Sequence, residues 1–186
     1  KKIWIQRLSY VGELGYELYI KNEDAEEIYD LIIKEGKNFK LSHCGAHSMD
    51  TMRMESGFLH WGHDISPEEN QYEACLDFTI SYKKKIDFIG KKSLMKIKDQ
   101  TQSKRLVLFS LKKSVPGQPL LMHDEPIYLD DKIIGRSTSG NYSFNYKKNI
   151  CFGYINTKNS NEELVNKNMF IEVGREKYPL NIEIKP

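Results

Sequence analysis

Two short stretches near the start of the chain alternate apolar and polar residues with a period of two. In residues 2–9, two isoleucines share one face of an extended strand and a tryptophan and a leucine share the other. Residues 16–20 alternate in the same way, so that Glu17 and Tyr19 fall on one face. Glycines lie between the two stretches, and the pattern therefore predicts a hairpin with its bend at residues 12–15.

Two later stretches show the helical period instead. Residues 22–36 place apolar side chains three to four positions apart behind an acidic first turn, which predicts an amphipathic helix with Gly36 as its C′ residue. Residues 46–55 predict a second helix, which Gly57 ends in the same manner.

The middle of the chain changes in composition. Residues 76–82 predict a strand, residues 90–98 a short helix, and residues 96–104 a polar linker. The linker separates two predicted domains, residues 1–100 and residues 101–186.

Beyond the linker, short apolar strands alternate with turns rich in proline, glycine, aspartate and asparagine. Residues 130–132 and 174–176 predict hairpin turns, and Ser-Thr-Ser-Gly at residues 137–140 predicts a further turn. We expect no helix longer than two turns in this half. The chain as a whole therefore predicts the α+β class, with a small antiparallel barrel or sandwich at its end.

Composition and charge exclude only a few classes of function. A net charge of +2 and 39% hydrophobic residues are ordinary for a soluble protein, so we expect neither nucleic acid nor a membrane as a partner. The three cysteines are scattered without Cys-x-x-Cys spacing, which favours free thiols in a reducing compartment, with the cytoplasm as the default. The chain begins without an initiator methionine or a signal-peptide pattern, and we expect a piece of a longer protein.

A His-Trp-Gly-His-Asp motif raises the alternative of a metal site. It brings His60, His63 and Asp64 close in sequence, but a further distant ligand is not identifiable, and two loop histidines are more often structural. A pair of Cys44 with a neighbouring histidine needs a different geometry, because adjacent residues point apart. Phosphate-binding and nucleophile-elbow motifs are absent from the sequence, so we predict no metal and no catalytic residue in this chain.

One constellation of side chains indicates a ligand. Glu17 interrupts an apolar strand, where a buried carboxylate is costly unless hydrogen-bond donors pair with it. The other members are Tyr10 in the hairpin, Arg53 in the second helix, Trp61 beyond it and, as a weaker candidate, Arg136. Aromatic rings, a carboxylate and an arginine suit a flat heterocycle with a donor edge and an anionic tail, such as a pterin. The alternative is that the rings are core residues and Glu17 faces solvent.

The motifs also resemble a known family, the folate-binding glycine cleavage T-proteins (aminomethyltransferases). The resemblance covers essentially the whole chain and rests on four stretches in the family's order: RLSYVGELGYELYI, CGAHSMDTMRMESGFLHWGHDISPEENQYEACLDFTI, DFIGKKSL and GRSTSGNYSFNYKKNICFGYI. Within them, VGELGYEL and HWGHDI are most similar to the tail of sarcosine and dimethylglycine dehydrogenases. The resemblance implies a truncated T-protein-like α+β domain followed by the family's small antiparallel β-barrel.

The resemblance also implies roles for the constellation. Glu17 would hold the amino edge of the pterin, and Tyr10 would pack against the folate. Arg53 would bind an oxygen or carboxylate of the cofactor, and Trp61 would line the pocket. Residues 71–76 depart from the family's Pro-Leu-Glu-Ala-Gly-Leu by losing a proline and a glycine, which concerns the local loop and none of these four side chains.

The implied parent protein is a demethylating dehydrogenase with a tetrahydrofolate-dependent aminomethyltransferase portion. FAD in an upstream domain of the same chain would oxidise an N-methyl amine, and tetrahydrofolate held by this portion would accept the one-carbon unit as 5,10-methylenetetrahydrofolate. The family's catalytic aspartate belongs to a segment that precedes these residues, so we expect this chain alone to be inactive. Alternatives are part of a glycine-cleavage-type aminomethyltransferase and a non-catalytic folate-binding module.

Overall fold

The computed structural model describes residues 1–183, whose contacts fall into two units. The first is Lys1–Phe58, and the second starts at Leu59. Composition predicts a division into residues 1–100 and 101–186, whereas these units follow from contacts, so that division stays a prediction.

The first unit opens with the predicted hairpin. Strand β1, Trp4–Gln6, pairs antiparallel with strand β2, Glu17–Tyr19, and places Glu17 opposite Gln6. Both strands are shorter than their alternating stretches, because the loop between them leaves the extended conformation, with φ +74° at Gly12. The prediction of a hairpin is confirmed, and it fixes Glu17 at the first position of β2.

Helix α1, Ala25–Gly36, confirms the first predicted helix. Gly36 is not the left-handed C′ residue that the sequence predicts, because its φ is −64° and the chain reverses only at Lys40, where φ is +57°. The glycine is explained by Leu41, whose N–H donates to the Gly36 carbonyl at 3.1 Å. The Leu41 side chain occupies the space that a Cβ at position 36 would need, so the glycine serves close packing.

Helix α2, Ala46–Glu55, begins and ends where the sequence predicts. Gly57 follows it in the left-handed conformation, with φ +73°, and donates its N–H to the Met54 carbonyl at 3.1 Å. The N–H of Phe58 donates to the Arg53 carbonyl at 2.8 Å. Together these bonds form a Schellman motif, which fixes the direction in which the chain leaves the helix.

The second unit begins with irregular structure. The strand predicted for residues 76–82 is wrong, because Asp77–Thr79 form a 3-10 turn. Cys75, with φ +56°, turns the chain out of the extended direction. Thr79 Oγ1 then donates to the Leu76 carbonyl at 2.6 Å, a local side-chain bond that competes with strand pairing.

Six antiparallel strands then close into a barrel in the order β3-β6-β5-β4-β7-β8. The strands are β3 Lys104–Leu111, β4 Pro126–Leu129, β5 Lys132–Ser143, β6 Lys148–Asn156, β7 Met169–Val173 and β8 Glu176–Glu183. Helix α3, Lys91–Ile97, precedes the barrel, and the single-turn helix α4, Asn161–Leu164, lies between β6 and β7. The predicted short helix, the antiparallel barrel and the α+β class are confirmed.

Hairpin turns join neighbouring strands where the sequence predicts them. Asp130, with φ +53°, lies between β4 and β5. Gly174 and Arg175, with φ +59° and +69°, lie between β7 and β8. Two successive residues with positive φ match the right-handed twist of the paired strands.

The turn predicted for residues 137–140 is wrong, because these residues lie inside β5. The pairing of β5 with β6 shifts register between Ser137 and Ser139, so the hydroxyl-rich stretch forms a bulge. A Cβ at Gly140 would lie 2.6 Å from the backbone of Leu121. This glycine is therefore required by a close approach of two backbone segments and not by a change of chain direction.

The interior of the barrel is the main hydrophobic core. Its buried side chains come from strands around the barrel and from α4, and include Phe109, Ile127, Cys151, Ile155, Leu164 and Ile171. Cys44, Cys75 and Cys151 are free thiols, as the sequence predicts. Within residues 1–183, no helix has the length and apolar character needed to cross a membrane.

Candidate functional site

Glu17, the candidate anchor, lies exposed on the hairpin. Tyr19 Oη donates a hydrogen bond to Glu17 Oε2 at 2.7 Å. This bond is the main cause that raises the pKa of Tyr19 above its usual range, with desolvation and the Glu17 charge adding to it. The carboxylate therefore meets solvent with one donor already in place.

Tyr10 lies in the loop between β1 and β2 and is half-buried. Its ring stacks on Phe58, with centroids 6.2 Å apart and planes inclined by 18°. Ser56 Oγ donates to the Val11 carbonyl at 3.3 Å. A Cβ at Gly12 would collide with that hydroxyl, so the loop approaches the end of α2 as closely as a glycine allows.

Arg53 is buried, with 4% of its side chain exposed. Its Nη1 donates to the Phe58 carbonyl at 3.1 Å and its Nε to Asp50 Oδ1 at 3.2 Å. Because the Phe58 N–H donates in turn to the Arg53 carbonyl, the two residues bond reciprocally across the end of α2. The guanidinium therefore reinforces the Schellman motif.

The first unit brings two of the predicted site residues to a common partner. Phe58 stacks on Tyr10 and accepts a hydrogen bond from Arg53. Glu17 follows Tyr10 along the same loop and begins β2. Trp61 and Arg136 belong to the second unit.

Trp61 is 66% exposed, which excludes the interior of the second unit as its location. It lies in a tight turn in which the N–H of Gly62 donates to the Ile65 carbonyl at 2.8 Å. The N–H of Asp64 donates to the His60 carbonyl, also at 2.8 Å. The turn presents the indole to solvent, where a ring can meet a ligand.

Asp64, which the sequence indicates only as a candidate metal ligand, has a structural role in this turn that the sequence did not predict. Its carboxylate is fully buried and accepts hydrogen bonds from Thr138 Oγ1 at 2.5 Å and Ser139 Oγ at 2.8 Å. The His60 N–H donates to its other oxygen at 2.8 Å. These donors compensate the desolvation of a buried charge and attach the Trp61 turn to the bulge of β5. In the sequence, an aspartate beside an apolar residue and a distant Ser-Thr-Ser run are the features that could indicate this set of hydrogen bonds.

The histidines of the same region contact one another through steeply inclined rings, at 61° between His60 and His63 and 56° between His63 and His123. The rings of His60 and His63 are 4.7 Å apart between centroids, and those of His63 and His123 are 6.0 Å apart. Among residues 1–183, no three histidine, cysteine, aspartate or glutamate side chains are placed to hold a metal ion together. Asp64 is engaged by threonine and serine hydroxyls, so the His-Trp-Gly-His-Asp motif forms a hydrogen-bonded turn, and the absence of a metal stays a prediction.

Arg136, the weaker candidate, is 71% exposed on β5. Its Nη1 donates to Asp124 Oδ1 at 2.7 Å, while Asp124 Oδ2 lies 2.9 Å from Nδ1 of His123. The hydrogen bond with His123, and next the charge of Arg136, lower the pKa of the Asp124 carboxyl although partial burial opposes this. Arg136 is thus part of a surface ion pair.

Comparisons with known proteins agree in both halves of the chain. Residues 1–84 match the family model for the GCVT N-terminal domain, and residues 104–186 match that for the glycine cleavage T-protein C-terminal barrel domain. The chain is 33% identical to mitochondrial dimethylglycine dehydrogenase of Homo sapiens over 180 residues, which cover 97% of the chain and 20% of that protein. It is 34% identical to an aminomethyltransferase of Symbiobacterium thermophilum over 152 residues, covering 81% of the chain and 39% of that protein.

A solved structure shares the fold. The crystal structure of the glycine cleavage system aminomethyltransferase T from Bartonella henselae superimposes with a TM-score of 0.79, at 21% sequence identity, over 96% of this chain and 48% of that one. The chain thus spans about a fifth of the dehydrogenase and about half of the T-protein structure.

Proposed function

This chain belongs to the glycine cleavage T-protein family, and we propose that it binds tetrahydrofolate with Glu17 as the anchor of the pterin. The observation that carries the proposal is the exposed Glu17 carboxylate with Tyr19 donating to it at 2.7 Å. A carboxylate held in this way fits the amino edge of a pterin, which offers two parallel N–H donors. Oε1 and a lone pair of Oε2 suffice to accept both.

The aromatic residues of the proposal would contact the cofactor through their rings. The Tyr10 ring, with Phe58 stacked behind it, offers one flat surface in the first unit. The exposed Trp61 indole offers another in the second unit. In our proposal Tyr10 packs against the folate, while the contact of Trp61 with the cofactor stays a prediction from the resemblance.

Arg53 contributes by positioning in this proposal. Its guanidinium is buried and donates to Phe58, the residue against which Tyr10 stacks. Loss of this donor would make the Phe58 ring, on which Tyr10 stacks, more mobile. The direct contact of Arg53 with a cofactor oxygen, which the sequence predicts, stays a prediction.

For the parent protein we propose the activity of a sarcosine or dimethylglycine dehydrogenase. The similarity to human dimethylglycine dehydrogenase over 97% of the chain supports this choice. Bound tetrahydrofolate would supply the nitrogen nucleophile that accepts a one-carbon unit derived from an N-methyl amine. The residues of this chain would hold that nucleophile close to the site where the unit is released, which is catalysis by proximity. In this proposal FAD, the catalytic aspartate and the amine site would belong to other parts of the parent protein.

A second candidate is a glycine-cleavage-type aminomethyltransferase. The similarity to the Symbiobacterium thermophilum enzyme over 81% of the chain favours it. An FAD-binding domain in the parent protein would distinguish the two candidates, because only the dehydrogenase requires one. A non-catalytic folate-binding module is the third candidate, and it predicts folate affinity without turnover of a methylamine.

The deciding experiment is a calorimetric titration of the longest native reading frame with 5-formyltetrahydrofolate. Glu17→Gln keeps the size of the side chain but places an amide N–H₂ where an acceptor is needed, so we expect a loss of affinity of about tenfold or more. Glu13→Gln is the matched control, because Glu13 is exposed in the same loop. Absence of binding by the unaltered protein would overturn the folate proposal. An affinity of Glu17→Gln equal to that of the unaltered protein would show that Glu17 is not the anchor.

A further inference from the structure

Tyr19 stands beside Glu17 on the same face of β2. Residues two apart in a strand point to the same side, and here the phenol oxygen reaches Glu17 Oε2 at 2.7 Å. Trp4 is the direct cross-strand partner of Tyr19, with ring centroids 5.5 Å apart and planes inclined by 37°. The hairpin thus forms a chain of contacts that runs from Trp4 through Tyr19 to Glu17.

We propose that Tyr19 is a positioning residue that holds the Glu17 carboxylate in the orientation needed to accept two parallel N–H donors of a flat heterocycle. This inference rests on the proposed function. Neither the composition of the chain nor its resemblance to the family assigns a role to Tyr19.

An exposed glutamate needs such a partner because its side chain is flexible. Several rotatable bonds separate the carboxylate from the backbone, and ordering them upon binding costs conformational entropy. A neutral phenol that donates to a carboxylate makes a charge-assisted hydrogen bond, which restricts these bonds before the ligand arrives. The ligand then pays less of this cost, which is preorganisation.

The contact with Trp4 keeps the phenol in place. Aromatic side chains that face each other across an antiparallel pair of strands stabilise each other, as Trp4 and Tyr19 do here. Tyr19 therefore lies between Trp4 on one side and Glu17 on the other. Removing the hydroxyl while keeping the ring therefore deletes the bond to Glu17 and preserves the contact with Trp4. Tyr19→Phe is such a change.

A double-mutant cycle tests the proposal. Calorimetric titration with 5-formyltetrahydrofolate is carried out on the longest native reading frame, on Tyr19→Phe, on Glu17→Gln and on the double variant. We expect Tyr19→Phe to weaken binding about five- to tenfold in the presence of Glu17, and to have no effect once Glu17→Gln is present. Tyr16→Phe is the matched control, since Tyr16 is exposed next to β2 and alternates to the opposite side, and it should bind like the unaltered protein.

Each other outcome overturns a defined part of the proposal. Equal losses from Tyr19→Phe with and without Glu17 would mean that Tyr19 acts independently of the carboxylate, and the positioning role would be wrong. Full affinity in Tyr19→Phe together with a loss in Glu17→Gln would remove Tyr19 while leaving the folate anchor intact. Absence of binding by the unaltered protein would overturn both this inference and the proposed function. Thermal unfolding midpoints equal to that of the unaltered protein exclude misfolding as the cause of a loss.

Discussion

The buried carboxylate of Asp64 accepts a hydrogen bond from Thr138 Oγ1 at 2.5 Å, across 74 positions of sequence. The same oxygen accepts from Ser139 Oγ at 2.8 Å. Both donors sit at the bulge of β5, and the acceptor ends the turn that presents Trp61. The barrel therefore has a role beyond its own core, because it holds a loop whose indole is available to a ligand.

Asp64→Asn should destabilise the second unit. The amide would place an N–H₂ group against the His60 N–H that now donates at 2.8 Å, and the charge that strengthens the three bonds would be lost. We expect the free energy of unfolding to fall by about 2–4 kcal/mol. Urea unfolding followed by circular dichroism measures this change.

Asp131→Asn is the matched control for that experiment. Asp131 is fully exposed at the β4–β5 hairpin, and its loss should change the free energy of unfolding by less than about 0.5 kcal/mol. Equal stability of Asp64→Asn and the unaltered protein would show that the hydroxyl donors do not hold the turn in solution.

The elements with a clear period could be predicted from the sequence. Helix α1 follows the 3.6-residue repeat of its apolar positions, and barrel strands β3 and β6 coincide with short apolar runs between turn residues. The prediction of a strand at residues 76–82 is wrong although the stretch is apolar. The positive φ of Cys75 and the side-chain hydrogen bond of Thr79 are local features that the spacing of apolar residues does not predict. The sequence predicts Gly36 as the C′ residue of a helix and Gly140 as part of a turn, whereas both are required by neighbours that approach closely in the folded chain.

The candidate site was predictable only where its members are near in sequence. Alternation along β2 places Tyr19 and Glu17 on one face, so their contact follows from the strand pattern. The bond between Asp64 and Thr138 depends on the register of β5 in the barrel, which the sequence does not specify. The roles of Glu17, Tyr10, Arg53 and Trp61 in binding folate stay predictions, as does a cytoplasmic location.

Arg53→Met should loosen the end of α2. Methionine keeps much of the buried volume but leaves the Phe58 carbonyl without the donor that now lies at 3.1 Å. We expect a loss of about 1.5–3 kcal/mol in the stability of the first unit. Hydrogen exchange of peptides that contain Gly57 and Phe58 should accelerate accordingly.

Arg7→Met provides the control for this change, since Arg7 is exposed and its loss should leave the exchange rates unaltered. The experiment also separates two roles of Arg53. Unchanged exchange together with lost affinity for 5-formyltetrahydrofolate would assign Arg53 to direct contact with the cofactor and not to positioning.

Glu69 should make the stability of the second unit depend on pH. Burial acts to raise its pKa, but hydrogen bonds from Lys104, at 2.6 Å, and from Ser66 outweigh burial, so the pKa of Glu69 is lowered. A carboxyl with a lowered pKa contributes stability above its unfolded pKa and loses it as pH falls through the folded value. At pH near 7 the free energy of unfolding of the unaltered protein should be about 1 kcal/mol larger than that of Glu69→Gln.

The difference between these two proteins should vanish in acid, which urea unfolding at a series of pH values measures. Glu68→Gln is the control, because Glu68 is exposed beside Glu69 and should leave the pH dependence unchanged. A constant difference at all pH values would contradict the ion pair as its source.

Trp61 should report ligand binding by its fluorescence. The chain has two tryptophans, so Trp4→Phe leaves Trp61 as the single reporter and keeps an aromatic ring against Tyr19. Because Trp61 is 66% exposed, its emission maximum without ligand should be that of a solvated indole. Addition of 5-formyltetrahydrofolate should quench this emission and shift its maximum to shorter wavelength. Trp61→Phe, which reports Trp4 alone, separates a direct contact from a general change of the protein. Unchanged Trp61 emission in a sample whose calorimetry records binding would show that Trp61 does not contact the ligand, and would leave the proposed roles of Glu17 and Tyr10 unaffected.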